Sequence, residues 1–234
     1  IICVILYHSL TTFYVDVSPE AYLMNTMSIR MGLSMLALGP LTLSIINLNR
    51  QKLYHQILYL ANHDSLTTTM NRRYFFEESE KTVQSVRQTA RSVTILLLDI
   101  DHFKKINDQY GHHAGDIVLQ QFTQVIAENL RQSDLFGRLG GEEFAILLKN
   151  LSLTESIQIA QRLCHLVYDH PITLPNNEVL HISVSIGLSY QTCPYYIPFQ
   201  QLINRADDAL YEAKETGRNK LCIERQLHTV SPAN

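Results

Sequence analysis

Apolar residues recur with two different spacings along most of this chain, and the spacing predicts the secondary structure. Apolar positions at helical spacing predict helices over residues 73–90, 114–131, 154–168 and 198–217. Continuous or alternating apolar runs predict strands over residues 92–99, 179–190 and 220–224, and a β-hairpin over residues 134–150. We therefore expect an α+β domain with a mostly antiparallel central sheet flanked by helices.

The N-terminal part of the chain has a different pattern. The run from Met31 to Asn49 carries no charged side chain, and Arg30 and Arg50 bracket it. A bilayer-spanning helix needs about 20 apolar residues, and a Gly-Pro pair is tolerated in such a helix. We expect one transmembrane segment here, with the uncharged residues 1–15 as the end of a preceding one. A buried helical sensor is the alternative.

A short amphipathic segment separates this region from the α+β domain. Apolar residues recur at helical spacing in residues 50–62, which predicts a linker helix that signals by pairing with its twin in a dimer. An amphipathic linker packed on the domain explains the pattern equally well. The predicted organisation is a membrane region over residues 1–49, the linker, a catalytic domain over residues 63–225 and a tail over residues 226–234. The chain begins with Ile rather than Met, so we expect it to be truncated.

Composition excludes two classes of function. The net charge of −3 gives no basic surface for a nucleic-acid polymer. The four cysteines, Cys3, Cys164, Cys193 and Cys222, form no C-x-x-C pair and are expected to be reduced thiols rather than a disulfide or zinc framework.

Asp99 closes the apolar run SVTILLLD, which suggests a metal site at the end of a buried strand. Hard oxygen ligands suit Mg²⁺, which shares its coordination sphere with water and phosphates; the backbone carbonyl of Ile100 is a second candidate ligand. We expect Asp99 and Asp101 to point to opposite faces of the strand and not to bind one ion together. A helix cap or turn is the alternative role for a single strand-end Asp. Lys104 and Lys105 follow and could contact phosphates beside exposed backbone N–H groups.

The predicted hairpin carries Gly140-Gly141-Glu142-Glu143 at its tip. The glycines allow the positive φ of a tight turn and the close approach of a ligand to the backbone. Glu142 is placed to complete a metal site with Asp99 from the neighbouring strand.

Four motifs resemble those of GGDEF-domain diguanylate cyclases. RLGGEEF is similar to their signature in its GGEEF form, and DIDHFKKINDQYGHHAGD is similar to their metal- and guanine-binding segment. HDSLTTTMNRR resembles their domain-opening motif, and ADDALYEAKETGRNK resembles their closing helix. The resemblance covers residues 63–223 and implies a palm-like nucleotidyl-cyclase fold.

The resemblance implies that two GTP molecules condense into cyclic di-GMP at a homodimer interface. It implies Mg²⁺, or alternatively Mn²⁺, held by Asp99, the Ile100 carbonyl and Glu142, with Glu143 assisting. Glu142 would also be the general base, and Lys104 would stabilise charge in the transition state. Substrate contacts are implied for Phe103, Asn107, His112, Asp116, Lys214 and Arg218. The carboxylate of Asp116 accepts hydrogen bonds only, which matches the N1–H and N2–H₂ donors of guanine.

The same resemblance implies regulation by the product, and the apolar N-terminal run together with the need for GTP indicates the location. Arg131 and Asp134 resemble the family's RxxD product-inhibition site, with Arg138 and Arg162 as candidates for a further contact. A surface salt bridge is the alternative reading of this pair. Because GTP is cytosolic, we expect a bacterial inner-membrane protein whose catalytic domain faces the cytoplasm, and Arg50 and Lys52 agree weakly with this orientation.

One departure from the family and two alternative functions are left open by the sequence. The family usually has Gly and Leu where this chain has Thr68 and Thr69, and we expect the change to affect local packing. A catalytically inactive receptor for GTP or cyclic di-GMP would normally have lost Asp99 or the GGEEF turn. A cyclase that makes a monomeric cyclic nucleotide would lack the RxxD spacing.

Overall fold

The computed structural model describes residues 19–88, 91–192 and 197–224, which fall into two compact units, Ile1–Leu58 and Tyr59–Asn234. The described part of the first unit is helix α1 (Pro19–Asn62), whose last four residues belong to the second unit. Pro40 lies inside α1 without ending it, so the predicted membrane segment and linker form one continuous helix. Leu23–Asn62 is long and apolar enough, by length and composition, to cross a membrane. The predicted earlier span, residues 1–15, lies outside the described residues.

The second unit is built on a six-stranded sheet. Its strand order is β1-β3-β4-β2-β7-β8, and a separate two-stranded sheet is formed by β5 and β6. The strands are β1 (Met70–Asn71), β2 (Ser92–Ile100), β3 (Leu135–Gly140), β4 (Glu143–Lys149), β5 (Ile172–Thr173), β6 (Val179–Leu180), β7 (Val184–Thr192) and β8 (Leu221–Ile223). The four central strands pair antiparallel, and both edge strands pair parallel. The predicted α+β class is therefore confirmed, with a mixed sheet.

In the described residues of the second unit, five helices flank this sheet on both faces. They are α2 (Arg72–Gln88), α3 (Phe103–Tyr110), α4 (His112–Glu128), α5 (Leu153–Asp169) and α6 (Phe199–Glu215). Alternate residues of β2 enter two different cores: Leu96 and Leu98 pack with Phe122 of α4, whereas Ile95 and Leu97 pack with Leu202 of α6. Burial on both faces explains why β2 reads as a continuous apolar run rather than an alternating one.

The structure has two strands, β6 and β7, where the sequence predicted one. The single strand expected over residues 179–190 is divided, because Val179–Leu180 pairs with Ile172–Thr173 and β7 begins only at Val184. A tight turn with Asn177 at φ 64° closes the small hairpin. Its strands have two residues each, too few for a periodic signal.

Gly187 sets how closely α6 lies against the sheet. A Cβ on Gly187 would stand 2.1 Å from the backbone oxygen of Ala206 and 2.3 Å from the backbone nitrogen of Leu210. Only a residue without a Cβ permits this approach. The contact fixes α6 against β7 and thereby places the end of α6, with Lys214, near the end of β2.

Two of the four cysteines lie in the described part of the chain, and both are free thiols. Cys164 is buried, and burial raises the pKa of its thiol to about 12. Such a thiol is an inert core residue at neutral pH.

Candidate active site

Asp99 lies at the end of the central strand beside a lysine and two glutamates. It is the next-to-last residue of β2, is 8% exposed, and stands opposite Glu143 of β4. Lys214, in the last turn of α6, places its Nζ 2.8 Å from Asp99 Oδ2. Burial raises the pKa of Asp99; Lys214 partly opposes this, and the charges of Glu142 and Glu143 raise the pKa further. Asp99 therefore lies within the electrostatic reach of both glutamates of the turn.

The tip of the β3–β4 hairpin has the conformation that its glycines allow. Gly140 and Gly141 have φ of 154° and 51°, so the predicted positive φ is confirmed at both positions. The carbonyl of Glu142 accepts the N–H of Ile100 at 3.4 Å, which holds the turn against the end of β2. The side chain of Glu142 is half-buried, and that of Glu143 is exposed.

Asp101 does not belong to this cluster, but the reason given by the sequence analysis was wrong. Residues two apart in a continuous strand share a face; β2 instead ends at Ile100, and Asp101 lies beyond it. Its carboxylate accepts hydrogen bonds from the hydroxyls of Ser183 and Ser185 and from the N–H of Asn219. Asp99 and Asp101 thus have separate sets of partners.

A link that the sequence analysis missed joins the hairpin tip to the start of the domain. Arg138 Nε and Nη2 donate to the Gly141 carbonyl at 3.0 and 2.8 Å, and Nη1 donates to Asp64 Oδ1 at 3.0 Å. Asp64 also accepts the N–H and the hydroxyl of Thr67. Burial would raise the pKa of Asp64, but the hydrogen bonds from Thr67 and Arg138 outweigh it and lower the pKa. Both residues lie in the quoted motifs, yet no local pattern pairs them.

The start of the domain is also tied to the last residues of α1. Asn71 Nδ2 donates to the Ala61 carbonyl at 2.7 Å, and Arg73 donates to the same carbonyl and to Asn62 Oδ1. The ring of His63 stacks on that of Tyr59 with centroids 4.1 Å apart. Within the second unit, the end of α1 is therefore held directly beside the strand that leads into α2.

Helices α3 and α4 carry most of the predicted substrate contacts. Phe103 begins α3 and is buried, whereas Lys104 in the same turn is exposed. His112 and Asp116, near the start of α4, are both exposed. A Cβ on Gly115 would stand 1.9 Å from Asn107 Oδ1, so the amide of Asn107 lies directly against α4 at Gly115. Gly115 directly precedes Asp116. The Asn107 amide therefore packs against the start of α4, the helix that also carries Asp116.

Arg218 lies beyond the end of α6 in a loop of unusual backbone conformation. Gly217, Arg218 and Asn219 all have positive φ, at 115°, 62° and 47°. Within the described ranges, no hydrogen bond or ion pair joins the side chain of Arg218 or of Lys104 to Asp99, Lys214 or the glutamates of the turn. The side chain of Arg218 is half-buried, and that of Lys104 is exposed.

The donor set at Asp99 fits a magnesium ion that is completed by substrate. No group of three or more His, Cys, Asp or Glu side chains in the described ranges is close enough to hold a metal ion by itself. Mg²⁺ commonly takes one or two carboxylates and fills its remaining positions with water and phosphate oxygens. A buried carboxylate that already attracts a cation, Lys214, and that feels two neighbouring negative charges is suited to that arrangement.

Arg131 and Asp134 lie in the turn between α4 and β3, away from this cluster. Asp134 Oδ2 accepts the backbone N–H of Arg131 at 3.0 Å, and the two side chains form no ion pair with each other in the described structure. Both residues line a cavity of about 350 Å³ together with Arg162 of α5. Two guanidinium groups and two carboxylates, those of Asp134 and Glu128, therefore line a single cavity.

Comparison with known proteins agrees with these motifs. The family described as "Diguanylate cyclase, GGDEF domain" matches residues 61–220. The chain is 40% identical over 191 residues to YhcK of Bacillus subtilis, covering 80% of this chain and 53% of YhcK. It is also 40% identical over 171 residues to the response regulator PleD of Caulobacter vibrioides, covering 73% of this chain and 37% of PleD. The chain thus spans about half, or less, of the length of these curated relatives.

Solved structures show the same fold. The coiled coil and GGDEF domain of DgcB from Caulobacter crescentus, in complex with c-di-GMP, superposes with a TM-score of 0.71 at 26% identity, covering 85% of this chain and 99% of that one. The active GGEEF domain of a diguanylate cyclase from Vibrio cholerae gives a TM-score of 0.61 at 33% identity, covering 67% of this chain and 97% of that one.

Proposed function

The chain belongs to the GGDEF family of diguanylate cyclases, and on this basis we propose that it condenses two molecules of GTP into cyclic di-GMP and two pyrophosphates. One observation carries the proposal: a buried Asp99, paired with Lys214 at 2.8 Å, stands beside the GGEEF turn at the end of the central strand. Carboxylates that can hold a metal ion and a lysine that can contact a phosphate therefore lie together at the end of β2, and transfer of a phosphoryl group uses both.

The reaction is a double phosphoryl transfer. In each half, the ribose 3′-oxygen of one GTP attacks the α-phosphorus of the other; a P–O bond forms, the bond between the α-phosphorus and the bridging oxygen breaks, and pyrophosphate leaves. The proton of the 3′-hydroxyl passes to the carboxylate of Glu142, the proposed general base. Because one subunit supplies one GTP, the second transfer closes the ring only in a homodimer.

Asp99, the Ile100 carbonyl and Glu142 are the proposed ligands of Mg²⁺ or Mn²⁺, with Glu143 assisting. The ion would neutralise charge that develops on the phosphates. Lys214 leaves Asp99 and contacts phosphate, and Lys104 and Arg218 add positive charge around the same group. The half-buried position of Glu142 and its effect on the pKa of Asp99 support its place in this set.

Asn107 and Asp116 are the proposed readers of guanine, with Phe103 and His112 beside them. The carboxylate of Asp116 accepts from the N1–H and N2–H₂ groups, which adenine lacks. The packing of the Asn107 amide against the backbone at Gly115 supports this assignment, because Asp116 is the next residue of α4.

Cyclic di-GMP is also the proposed inhibitor, bound at Arg131 and Asp134. The cavity that these residues line with Arg162 offers two cations to the product's two phosphates and a carboxylate to a guanine edge. Two DgcB structures from Caulobacter crescentus contain c-di-GMP, which supports a product-binding role for a similar domain.

We further propose that α1 tethers the enzyme to the bacterial inner membrane, with the catalytic domain in the cytoplasm where GTP is available. The length and apolar composition of Leu23–Asn62 support the tether. The proposed division remains a membrane region over residues 1–49, a signalling linker over residues 50–62, the catalytic domain over residues 63–225 and a tail over residues 226–234.

The test uses the full chain in detergent with GTP and Mg²⁺, and separates the products by chromatography. We expect cyclic di-GMP and pyrophosphate in a ratio of one to two, and no product from Glu142→Gln. A verified dimer, freed of bound nucleotide, that binds GTP without forming cyclic di-GMP would instead identify a receptor. Full turnover by Glu142→Gln would refute the assignment of metal ligand and base.

A further inference from the structure

Asp101 is a buried carboxylate that the proposed reaction does not use. It is 4% exposed, and three hydrogen bonds compensate its burial. Oδ2 accepts from Ser183 Oγ at 2.6 Å and from the N–H of Asn219 at 3.0 Å, and Oδ1 accepts from Ser185 Oγ at 2.7 Å. The partners come from the start of β7 and from the loop after α6, so one side chain joins three segments of the chain.

The loop after α6 has a backbone conformation that needs such support. Arg218 and Asn219 both have positive φ, a conformation that residues with a Cβ seldom adopt. The N–H of Arg218 is bound by the Ala213 carbonyl at 2.9 Å, and the N–H of Asn219 is bound by Asp101. Asp101 therefore fixes the backbone of the residue that directly follows Arg218.

Two contacts join the end of α6 and the loop after it to the end of β2 and the residue after it. One is the ion pair between Lys214 and Asp99 at 2.8 Å, and the other is the bond from Asn219 to Asp101 at 3.0 Å. In the proposed reaction the first link opens when GTP binds, because Lys214 moves to phosphate and Asp99 to the metal ion. The second link involves no group that the substrate needs, so we expect it to remain when GTP is bound.

We propose that Asp101 is a positioning residue for GTP: by holding Asn219, it keeps the guanidinium of Arg218 at the phosphate site. The inference rests on the proposed function in one respect, the contact between Arg218 and the phosphates. It assigns no proton transfer and no metal contact to Asp101.

The test compares two substitutions in the full chain. Asp101→Ala removes the acceptor, whereas Asp101→Asn keeps one oxygen for Asn219 and Ser183 while its amide donates to the Ser185 hydroxyl. Binding is measured by calorimetry, with Mg²⁺ and a GTP analogue that has a methylene group between the α- and β-phosphorus. We expect affinity to fall by about tenfold in Asp101→Ala and by less than about threefold in Asp101→Asn.

The double variant tests whether Asp101 acts through Arg218. If it does, Asp101→Ala has no further effect on analogue affinity when Arg218 is already replaced by alanine. Additive losses, or unchanged affinity in Asp101→Ala, would overturn the inference. Should Asp101→Ala fail to fold, hydrogen exchange of the wild-type chain decides: the Asn219 amide must be protected both with and without the analogue, and exchange at the free-peptide rate would refute the proposal.

Binding of an unreactive analogue also separates this inference from the proposed function. A wild-type chain that binds the analogue but never forms cyclic di-GMP would refute the reaction and leave the role of Asp101 measurable. A chain that forms cyclic di-GMP, and binds the analogue equally well with Asp101→Ala, would refute only the positioning role.

Discussion

Arg138 and Asp64 are 74 positions apart in the chain, yet Nη1 of Arg138 lies 3.0 Å from Oδ1 of Asp64. The same guanidinium holds the Gly141 carbonyl, so the turn that carries Glu142 is fastened to the loop that opens the domain. This arginine lies outside the GGEEF motif, and it holds the turn together with the bond from the Ile100 N–H to the Glu142 carbonyl.

Arg138→Met should loosen the turn and destabilise the domain. Hydrogen bonds to charged groups contribute about 1.5–3 kcal/mol each. The Arg138–Asp64 pair is partly exposed, so we expect Arg138→Met to lose about 1–3 kcal/mol in the free energy of unfolding. We also expect its turnover to be lower. Urea unfolding of the full chain in detergent measures the free energy of unfolding, and the rate of product formation measures turnover. Lys81→Met, which removes an exposed pair with Glu78, is the control and should change stability by less than about 1 kcal/mol.

The stability difference between wild type and Arg138→Met should depend on pH, and the pKa of Asp64 fixes the direction. The pKa of Asp64 is lowered from 3.8, so its contribution to stability is present above pH 3.8 and is lost as the pH falls through the folded-state pKa. The stability gap between wild type and Arg138→Met should therefore be largest near neutrality and shrink below pH 3.8. A gap that stays constant over that range would contradict the link between Arg138 and Asp64.

Lys214→Met should change the affinities for Mg²⁺ and for GTP in opposite directions. Without nucleotide, Lys214 occupies Oδ2 of Asp99 and competes with a metal ion, so its removal should tighten binding of Mg²⁺ alone. With nucleotide, the variant lacks a charged phosphate contact, and we expect the KM for GTP to rise by about tenfold or more. Calorimetry and steady-state kinetics measure the two effects. Lys81→Met, which alters an exposed pair with Glu78, should leave both unchanged; weaker binding of both ligands by Lys214→Met would refute the competition.

Thr68→Gly should stabilise the protein. Thr68 has φ 58°, a left-handed conformation that costs a residue with a Cβ about 1–2 kcal/mol, while glycine adds about 0.5–1 kcal/mol of backbone entropy to the unfolded chain. The net gain should be up to about 1 kcal/mol in urea unfolding. Thr68→Val keeps the branched Cβ and should bring no gain, so equal stabilisation by both substitutions would show that the backbone is not the cause.

Thr68 shows how far a local pattern carries. The sequence has a Thr where the family has a Gly, which predicts an effect on local packing; the positive φ at this position comes from the structure. The positive φ of Gly140 and Gly141, and the burial of the strand that carries Asp99, were predicted correctly. All three are local patterns, in which a residue type reports its own backbone conformation or burial.

Contacts between distant residues leave no such pattern. Arg138 and Asp64 are 74 positions apart, and Asp101 and Asn219 are 118 positions apart. Each contact joins a side chain to a partner that only the folded sheet brings close. Alternation along β2 also gave no reason for the separate partners of Asp99 and Asp101, because the strand ends between them.

Gly115→Ala should weaken GTP binding with little loss of stability. Its Cβ would stand 1.9 Å from Asn107 Oδ1, the end of a flexible side chain, and 3.2 Å from the ring of Phe103, so the amide rotates away and the ring shifts slightly while the helices remain packed. We expect the KM for GTP to rise by about tenfold and the free energy of unfolding to change by less than about 1 kcal/mol. Gly187→Ala is the matched contrast, because its Cβ meets backbone atoms of α6 and should cost about 1–3 kcal/mol or more. The reverse ranking of the two variants in urea unfolding would contradict this account.

Arg131→Ala should relieve product inhibition and leave the initial rate unchanged. Arg131 and Arg162 line the same cavity beside Asp134, so each is expected to contact a phosphate of cyclic di-GMP. Losing one charge-assisted contact should raise the half-inhibitory concentration of cyclic di-GMP by about tenfold or more. The initial rate is measured with a phosphodiesterase present to remove product, and inhibition with product added. Arg162→Ala should act in the same direction, whereas Gln161→Ala, the exposed neighbour on α5, should not. Unaltered inhibition in both arginine variants would place the inhibitory site elsewhere.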